Sequence, residues 1–424
     1  MLEGRGVPSV VLGTDAFVSL ARAQSATHGL PHLCVVLAPH PIGGIDPVLV
    51  VAKAEKIAAE ALRALTHDPA PPAGAAAAVA AVAVDGPDDL DAFQSWAMDE
   101  HWSDGLPVLP PTPERVERML GRRREQRAEV VATLAPRSGR ATREAIAINA
   151  VLAGAAPEHL PVIVAAVRAL AEPRFNLNAV QTTTHPCTPL IIVNGPIAAR
   201  LGISGGPNAL GNGHRANAVI GRAVRLTLQN VGGARPGLED RATLGHAGKF
   251  SYCLAENEAE SPWASLAAER GIPEATSCVT VCGSEAPHNI NDHASTTAEA
   301  LLRAIASVGA TTANNNVYLD GEPLVILGPE HAATLAGSGW SKADFKRRLW
   351  ESTHVRLGRF SPENIARFAT IAPGRFLGRP AETDVPWCVR PEDLMVIVAG
   401  GPGKHSAVVP TFGATRSVTL PIEE

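Results

Sequence analysis

The sequence predicts an α/β protein, with an incomplete parallel α/β unit at the N-terminus and a larger mixed α/β (or α+β) domain after it. Strand and helix patterns alternate from the first residues, as they do in parallel α/β units. The chain has 424 residues, which is too long for one small core. An Ala/Pro-rich stretch interrupts these patterns. We therefore expect a partial α/β unit over 1–66, a linker over 67–89 and the main domain over 90–424.

The N-terminal unit is predicted from four segments in the order strand, helix, strand, helix. "VPSVVLGT" (7–14) and "LCVVLAPHPIGG" (33–44) are aliphatic and β-branched, which is typical of buried parallel strands. Two strands are too few for a free-standing sheet of this kind, so we expect an unpaired strand edge. The two helices are expected at 15–29, between an Asp15 N-cap and a Gly29 stop, and at 46–65, with Asp46 as N-cap and Pro47 in the first turn.

The main domain is predicted to mix helices and strands without a short-period internal repeat. Apolar residues at helical spacing and β-branched runs set the boundaries. Helices are expected at 88–101, 112–124, 142–154, 158–172, 215–231, 297–309 and 341–352, and strands at 128–134, 189–194, 276–283, 323–327 and 394–399.

Composition excludes several classes of protein. The formal net charge is −5 and no basic run is present, so neither nucleic acid nor an anionic membrane is an expected partner. The longest apolar run, "AGAAAAVAAVAV", is about half the ~20 residues that a membrane span needs. The six cysteines form no CxxC pair and no signal peptide is recognisable. We therefore expect a cytoplasmic protein.

Two of the cysteines lie in one predicted strand, "SCVTVCG". Cys278 and Cys282 are four residues apart, which places them on the same face but roughly 13 Å apart along the strand. A disulfide requires Cα atoms within about 7 Å. We therefore expect both to be buried, reduced and unpaired.

A polar segment follows that strand, "APHNINDHAS", and it is read as a loop. His288, Asp292 and His293 are candidates for catalytic proton transfer, and Asn289 is a candidate substrate ligand. Ligands of open α/β sheets bind beyond the carboxyl ends of strands, which favours this assignment. Two alternatives remain. The histidines could hold a metal, although their spacing matches no standard ligand pattern, or the loop could only cap the next helix.

A Gly/Asn-rich loop that runs into a helix, residues 202–226, is a candidate anion site. His214, Arg215 and Asn217 lie at the helix start, where free backbone N–H groups favour an anion. Arg222 follows on the same face as Arg215, and a guanidinium can grip a carboxylate. The segment lacks the P-loop pattern, so a nucleoside triphosphate is not expected. The alternative is an ordinary Gly-rich connection with a solvated Arg face.

Further candidates lie beside other strands. His185 and Cys187 in "TTHPCTP" precede the strand 189–194, and His185 is a catalytic candidate, whereas Cys187 is a weak one. Glu256 is a possible general acid or base. Lys404 and His405 follow the strand 394–399 in a glycine loop and could bind an anion.

Quoted segments also resemble a known family. "RGVPSVVLGTDAF", "VVLAPHPIGG", "HWSDGLPVLPPT", "TTHPCTPLIIVNGP", "LGHAGKFSYCLAENEAESPW" and "LGPEHAATLAGSGWSKAD" resemble the UGSC family of (seleno)proteins. More distantly, the chain is similar to the B component of glycine reductase and its betaine and sarcosine relatives. The family is named for a U/C-G-S-C motif that precedes "RGVPSVV". This chain starts at Met1 without it, so we expect a truncated reading or a partner chain that carries the motif.

The resemblance implies a redox or reductive-lyase enzyme, an oxidoreductase in which a selenol or thiol attacks a small anionic substrate. The alternatives are a His- or metal-dependent lyase or hydrolase, and a non-catalytic subunit of a reductase-like complex. No pattern identifies a cofactor, no metal ligand is assigned, and an oligomer is expected. His185, Arg215, His288, Asp292 and His293 are expected to converge in one cleft.

Overall fold

The computed structural model describes residues 7–27, 33–66 and 83–423. The N-terminal unit has strand β1 (Val10–Thr14), helix α1 (Val18–Thr27), strand β2 (Cys34–Ala38) and helix α2 (Pro47–Thr66). β1 and β2 pair in parallel from Val10 opposite Cys34 to Thr14 opposite Ala38. The predicted order of elements is therefore confirmed. The predicted stop at Gly29 and most of the predicted linker, residues 67–82, lie outside the described residues.

One detail of the N-terminal unit differs from the prediction. Asp15 is not the N-cap of α1, because it opens a 3₁₀ turn whose N-cap position is Thr14, and its carboxylate accepts a hydrogen bond from the backbone N–H of His40. The unit is incomplete, as expected, and leaves apolar surface uncovered. Leu12 is 58% exposed, and α2 buries none of its residues within the described structure. Two strands and two helices are too few to cover both faces of this sheet.

The rest of the described chain, 83–423, contains fourteen helices and twelve strands. The helices are α3 (Leu90–Asp99), α4 (Pro113–Leu120), α5 (Arg143–Leu152), α6 (Leu160–Ala171), α7 (Leu177–Thr182), α8 (Pro196–Leu201), α9 (Arg215–Asn230), α10 (Leu266–Glu269), α11 (Ala298–Gly309), α12 (Asn315–Leu319), α13 (Pro329–Gly337), α14 (Lys342–Ser352), α15 (Pro362–Ile371) and α16 (Pro373–Phe376). The strands are β3 (Val130–Leu134), β4 (Gly139–Thr142), β5 (Thr188–Asn194), β6 (Cys253–Ala255), β7 (Cys278–Ser284), β8 (His288–Asn291), β9 (Leu324–Leu327), β10 (His354–Arg356), β11 (Asp384–Pro386), β12 (Met395–Val398), β13 (His405–Val409) and β14 (Val418–Pro421).

Two four-stranded mixed sheets form the centre of this region. In the first sheet β5 pairs in parallel with β6 and antiparallel with β7, and β14 completes the sheet beside β7. In the second sheet β9 pairs in parallel with β12 and antiparallel with β13, and β8 completes the sheet beside β13. The strand orders are β6-β5-β7-β14 and β12-β9-β13-β8, so the two sheets have the same pattern of pairing. The expected mixed α/β domain is confirmed.

The sheets lie face to face between two layers of helices. Leu190 of β5 and Leu324 of β9 share a core that is built from residues of the two sheets and the segments beside them, with Leu266 of the short helix α10. Their neighbours Ile191 and Val325 belong to two separate cores, each between one sheet and its helices. Because side chains alternate along a strand, each central strand is buried on both faces. The architecture is therefore helix layer, sheet, sheet, helix layer.

The matching sheets are accompanied by an internal sequence repeat. "PLIIVNGPIAARL" (189–201) and "PLVILGPEHAATL" (323–335) each give a central strand, a Gly-Pro turn and a short helix with the pattern Ala-Ala-x-Leu. The repeat is about 134 residues long, between Pro189 and Pro323. The prediction considered only short periods and did not identify it.

The two halves of the repeat exchange their last strands. β8 follows β7 along the chain but pairs in the second sheet, whereas β14 follows β13 but pairs in the first. Each sheet is therefore completed by a strand from the other half. Folding of either half requires the other, which favours one cooperative unit.

The predicted element positions agree with the structure wherever apolar periodicity was strong. The segment 288–291 is an exception. The sequence predicts a loop there, whereas the structure has an edge strand in which only Ile290 is buried. Likewise His405 begins β13 and is not in a glycine loop. Polar edge strands lack the alternation of apolar residues on which strand prediction depends.

The cysteine prediction is confirmed. Cys278 and Cys282 are buried in β7, and neither forms a disulfide. Burial raises the pKa of Cys278 to about 11 and that of Cys282 to about 12, so both remain protonated thiols at neutral pH.

Candidate functional site

Strand direction divides the predicted site residues between two ends of the sandwich. His185 precedes β5, and the antiparallel partner β7 ends beside it, with Thr188 opposite Ser284. Asp292 and His293 follow β8, which is antiparallel to β13 and therefore runs in the same direction as β9. They lie at the end where β5 and β9 finish. The structure therefore does not place His185 in one cleft with Asp292 and His293.

The polar cluster around His185 combines residues from four separate segments of the chain. We define it as His185, Arg225, Asp240, His246, Lys249 and Glu285. His185 Nε2 lies 2.6 Å from Glu285 Oε1, and its ring stacks on Phe412 with centroids 5.3 Å apart. The carboxylate and the stacked ring together fix the orientation of the imidazole. His185 Nδ1 is buried and has no hydrogen-bond partner.

One further buried polar atom near His185, Thr188 Oγ1, also lacks a partner. Ser284 is paired with Thr188 across β5 and β7, and its side chain interacts with Tyr252. A hydrogen bond with the Ser284 backbone acts to raise the pKa of His246, so that ring is not free. Buried polar atoms in native proteins are nearly always hydrogen-bonded. The unpartnered His185 Nδ1 and Thr188 Oγ1 therefore indicate a place suited to a polar ligand or water.

Buried cations lie on the other side of the cluster. Lys249 Nζ is 2.6 Å from Asp240 Oδ2, and a guanidinium nitrogen of Arg225 is 3.7 Å from the same oxygen. Burial lowers the pKa of Lys249 and of Arg225, whereas the Asp240 charge acts in the opposite direction. One carboxylate therefore faces two cations on this side of the cluster, which suits an anion there, although Glu285 makes the six-residue cluster neutral as long as its histidines are uncharged.

Cys187 lies beside this cluster but is a poor nucleophile. Burial raises the pKa of its thiol to about 12, even though the charge of Lys249 acts to lower it. The thiolate is the reactive form of cysteine. The weak prediction of a catalytic Cys187 therefore gains no support.

The N-terminal unit contacts the main domain next to the cluster. Arg241, the neighbour of Asp240, donates a hydrogen bond to the backbone oxygen of Ala16, and its guanidinium lies 6.0 Å from the ring of Phe17. Ala16 follows the carboxyl end of β1. Ligands of parallel α/β sheets bind beyond that end of the strands.

At the other end of the sandwich, the predicted residues around β8 and β13 form a second group. His293 Nε2 and His405 Nε2 are 3.3 Å apart, and His405 Nδ1 lies 3.1 Å from Asn289 Oδ1. Lys404 donates to the backbone oxygen of His293. Hydrogen bonds from Ser295 lower the pKa of Asp292, whose carboxylate accepts from the backbone N–H groups of Ala294 and Ser295 in the loop before α11 and is not a proton donor at neutral pH. His288 is exposed on β8.

The predicted anion site at the start of α9 is only partly available to a ligand. Arg222 grips Asp104 through two hydrogen bonds of 2.8 and 2.7 Å, so its guanidinium already has a carboxylate partner. Asn217 is buried and uses its side-chain amide to fix the backbone of Ser204 and Ala209. These two residues are better described as structural, in contrast to the predicted binding role.

Glu256 directly follows β6 and is buried at the end of the sandwich where β5 and β9 finish. Its Oε2 accepts hydrogen bonds from Asn194 Nδ2 at 2.8 Å and from the backbone N–H of Leu266 at 2.9 Å. Its Oε1 and Asn194 Oδ1 are both buried without a partner. A protonated Oε1 would complete an acid–amide pair with Asn194. Burial raises the pKa of Glu256, which is consistent with that form.

Glu256→Gln is expected to make the protein more stable than the wild type at pH 8, because burial raises the pKa of Glu256 and disfavours its charged form. The folded state binds the Glu256 proton more tightly than the unfolded state, so wild-type stability is lost as pH rises from 4.5 through the folded pKa. Gln cannot ionise and keeps the pairing with Asn194. Urea unfolding at pH 5 and pH 8 measures the effect. The exposed change Glu260→Gln is the control, and an E256Q variant that is less stable at pH 8 contradicts the protonated pair.

Five residues of the polar cluster were not predicted as site residues from the sequence: Arg225, Asp240, His246, Lys249 and Glu285. His246 and Lys249 belong to the quoted segment "LGHAGKFSY", where a histidine and a lysine among small residues were the available signal. Glu285 follows the end of a predicted strand. Their partners lie as far as 100 residues away along the chain, as for His185 and Glu285, so spacing alone does not bring them together.

Neither a metal centre nor a membrane span is found in the described residues. Within them, no group of three or more His, Cys, Asp or Glu side chains is arranged to hold a metal ion. No helix in 7–27, 33–66 or 83–423 combines the length and the apolar character needed to cross a membrane.

Residues 1–67 match the model of the UGSC family, which supports the UGSC assignment that the sequence motifs predict. The match covers the N-terminal unit, which contacts Arg241, the chain neighbour of the cluster residue Asp240. No curated protein and no solved structure matches this chain. The relation to reductase component B stays a prediction.

Proposed function

We propose that this chain is a redox or reductive-lyase enzyme of the UGSC type, and that the polar cluster is where a small anionic substrate reacts. The observation that carries the proposal is the set of two unpartnered buried polar atoms, His185 Nδ1 and Thr188 Oγ1, beside two buried cations. This set lies next to the contact with the N-terminal unit, the segment that matches the UGSC family.

The side chains divide into two roles. Lys249 and Arg225 attract and orient the anion, since Asp240 balances only one of their two charges. His185 transfers a proton. When Nε2–H donates to Glu285, Nδ1 is the free position, and an imidazolium held by the carboxylate can donate its Nδ1 proton to a leaving group. Thr188 Oγ1 is a second free position for a substrate hydrogen bond.

The attacking selenol or thiol is proposed to come from a partner chain or from a segment outside the described residues. Burial raises the pKa of Cys187, Cys253 and Cys282 to about 12, so these thiols stay protonated. The reaction balances as a two-electron reduction. A dithiol and a substrate R–X give R–H, HX and a disulfide, so the dithiol is oxidised and the bond between carbon and X is reduced.

The proposal is tested by a dithiol-dependent turnover assay. The whole protein is incubated without oxygen with dithiothreitol and a panel of two- and three-carbon carboxylates that carry an amine, hydroxyl or halide at carbon 2. A peptide with a C-x-x-C sequence is added in a parallel set. Proton NMR detects the reduced product. We expect one class of anion to lose its substituent only when dithiol and protein are both present. Turnover that does not need dithiol, or none in either set, overturns the proposal.

The alternative of a His-dependent lyase or hydrolase has a specific observation in its favour. His293 and His405 face each other at 3.3 Å in an exposed position, and Asn289 orients His405. Dithiol-independent elimination or hydrolysis that is lost in His405→Gln but kept in His185→Gln would assign the chemistry to that pair. If neither activity is found but the protein binds a C-x-x-C chain, the result favours the remaining alternative, a non-catalytic subunit of a reductase-like complex.

A further inference from the structure

A cavity of about 300 Å³ lies at the N-terminal end of α9, away from the polar cluster. Its wall contains His159, His214 and Arg215, with Gly202 and Gly213 beside them. Arg215 and Arg225 are ten residues apart on the same helix, which corresponds to about 15 Å along its axis. The cavity and the polar cluster are therefore separate places on the molecule.

The start of α9 offers backbone donors to this cavity. The first intrahelical bond runs from the N–H of Ala218 to the oxygen of His214, so the N–H groups of residues 215–217 precede it. The His214 side chain does not cap the helix, since its Nε2 contacts the oxygen of Pro207 instead. The positive end of a 16-residue helix and three amide donors favour an anion.

His159 is an independent indication of a ligand. Its side chain is only 7% exposed, yet it lines the cavity. Nδ1 accepts a hydrogen bond from the backbone N–H of Ala156 at 3.1 Å, which makes Nε2 the protonated nitrogen. Nε2–H has no partner among the described residues. Burial lowers the pKa of His159, so the ring is neutral at pH 7 and still presents this donor.

The side chains around the cavity carry one full positive charge and no negative charge. Arg215 uses one guanidinium nitrogen to bind the oxygen of Gly154 at 3.0 Å, and its other N–H groups remain available. No carboxylate is among the lining residues. The nearest acid along the chain, Glu158, is exposed to solvent.

We propose that this cavity binds a small oxyanion, a carboxylate or a phosphate group, at a second site distinct from the polar cluster. Arg215 supplies the charge, the first turn of α9 supplies backbone donors, and the Nε2–H group of the largely buried His159 ring supplies a donor that fixes orientation. A volume of about 300 Å³ suits a ligand of a few heavy atoms around that anionic group.

Isothermal titration calorimetry of the whole protein with inorganic phosphate, sulfate and acetate tests the proposal. We expect phosphate or acetate to bind, and Arg215→Met to weaken binding at least tenfold. His159→Gln serves as a second variant should R215M fail to fold. The control Arg347→Met removes an exposed arginine of α14 and should leave binding unchanged. The ratio of the phosphate and acetate affinities shows whether the site prefers a phosphate group or a carboxylate.

Two outcomes would overturn the second site. One is that none of the three anions binds. The other is that Lys249→Met removes binding while R215M and H159Q leave it intact, because the anion would then occupy the polar cluster. That second result would leave the proposed redox function standing, so failure of one proposal is distinguishable from failure of the other.

Discussion

Asp240→Asn is expected to lower the free energy of unfolding by about 3–5 kcal/mol, the range for removal of one partner from a buried ion pair. Asp240 is buried and faces Lys249 at 2.6 Å and Arg225 at 3.7 Å. Without its charge, both cations stay buried with no counter-ion. Lys249 can respond by losing its proton, but the Arg225 guanidinium cannot, since arginine keeps its charge in proteins.

Urea unfolding at pH 7 measures the effect of D240N. Asp384→Asn is the matched control, because Asp384 and Arg356 form an ion pair at 3.3 Å whose side chains are both more than half exposed. Exposed pairs contribute about 0–1 kcal/mol. Adding Lys249→Met to D240N should recover part of the loss, since it removes one unpaired cation. Equal losses for D240N and D384N would contradict the buried-charge argument.

The positions of helices and strands could be predicted where the apolar periodicity and the Gly or Pro residues that end an element agree. β5 and β9 are continuous apolar runs that end in Gly-Pro, and both were predicted within a residue of their observed starts. The exchange of β8 and β14 could not be predicted in this way. β8 reads His-Asn-Ile-Asn, and only its pairing with β13 makes it a strand. Pairing between distant segments is a tertiary property that local pattern does not contain.

The internal repeat also shows where the two halves of the main domain differ, at the carboxyl ends of β5 and β9. In the first half, Gly195-Pro196 follows Asn194, whose amide binds Glu256. In the second half, Gly328-Pro329 follows Leu327 directly, with no equivalent amide. The halves share a scaffold but carry different polar groups at the strand ends. Comparison of 189–201 with 323–335 could therefore have predicted the pairing of the two sheets, although not their side chains.

Individual site residues could be predicted from the sequence, but their partners could not, because the partners come from distant segments of the chain. Residue type and position just before a strand indicated His185, but its partner Glu285 and the nearby Lys249 come from other segments. Arg222 was predicted to bind a substrate carboxylate, and the carboxylate that it binds is that of Asp104, 118 residues away. The chemistry of the guanidinium was inferred correctly, but its partner depends on packing.

His185→Gln is expected to lower dithiol-dependent turnover by about 10²–10³, since a positioned proton donor typically contributes 10²- to 10⁴-fold. Gln retains a hydrogen bond to Glu285 but cannot carry a transferable proton at Nδ1. The measurement is the rate of reduced-product formation with the anion that the wild-type protein turns over. His354→Gln, in β10 of a different sheet, is the control and should leave the rate unchanged.

The companion variant Glu285→Gln separates proton transfer from a merely structural role for His185. The Glu285 carboxylate holds the imidazole in place across a 2.6 Å contact, so its loss leaves the Nδ1–H group of His185 misdirected. E285Q should lower kcat by less than H185Q does, at an unchanged free energy of unfolding. A residue that only supports the fold would lower the free energy of unfolding together with the rate. If H185Q turns over at the wild-type rate, or if E285Q keeps the wild-type kcat, His185 is not the proton donor and the reaction must be assigned to another group.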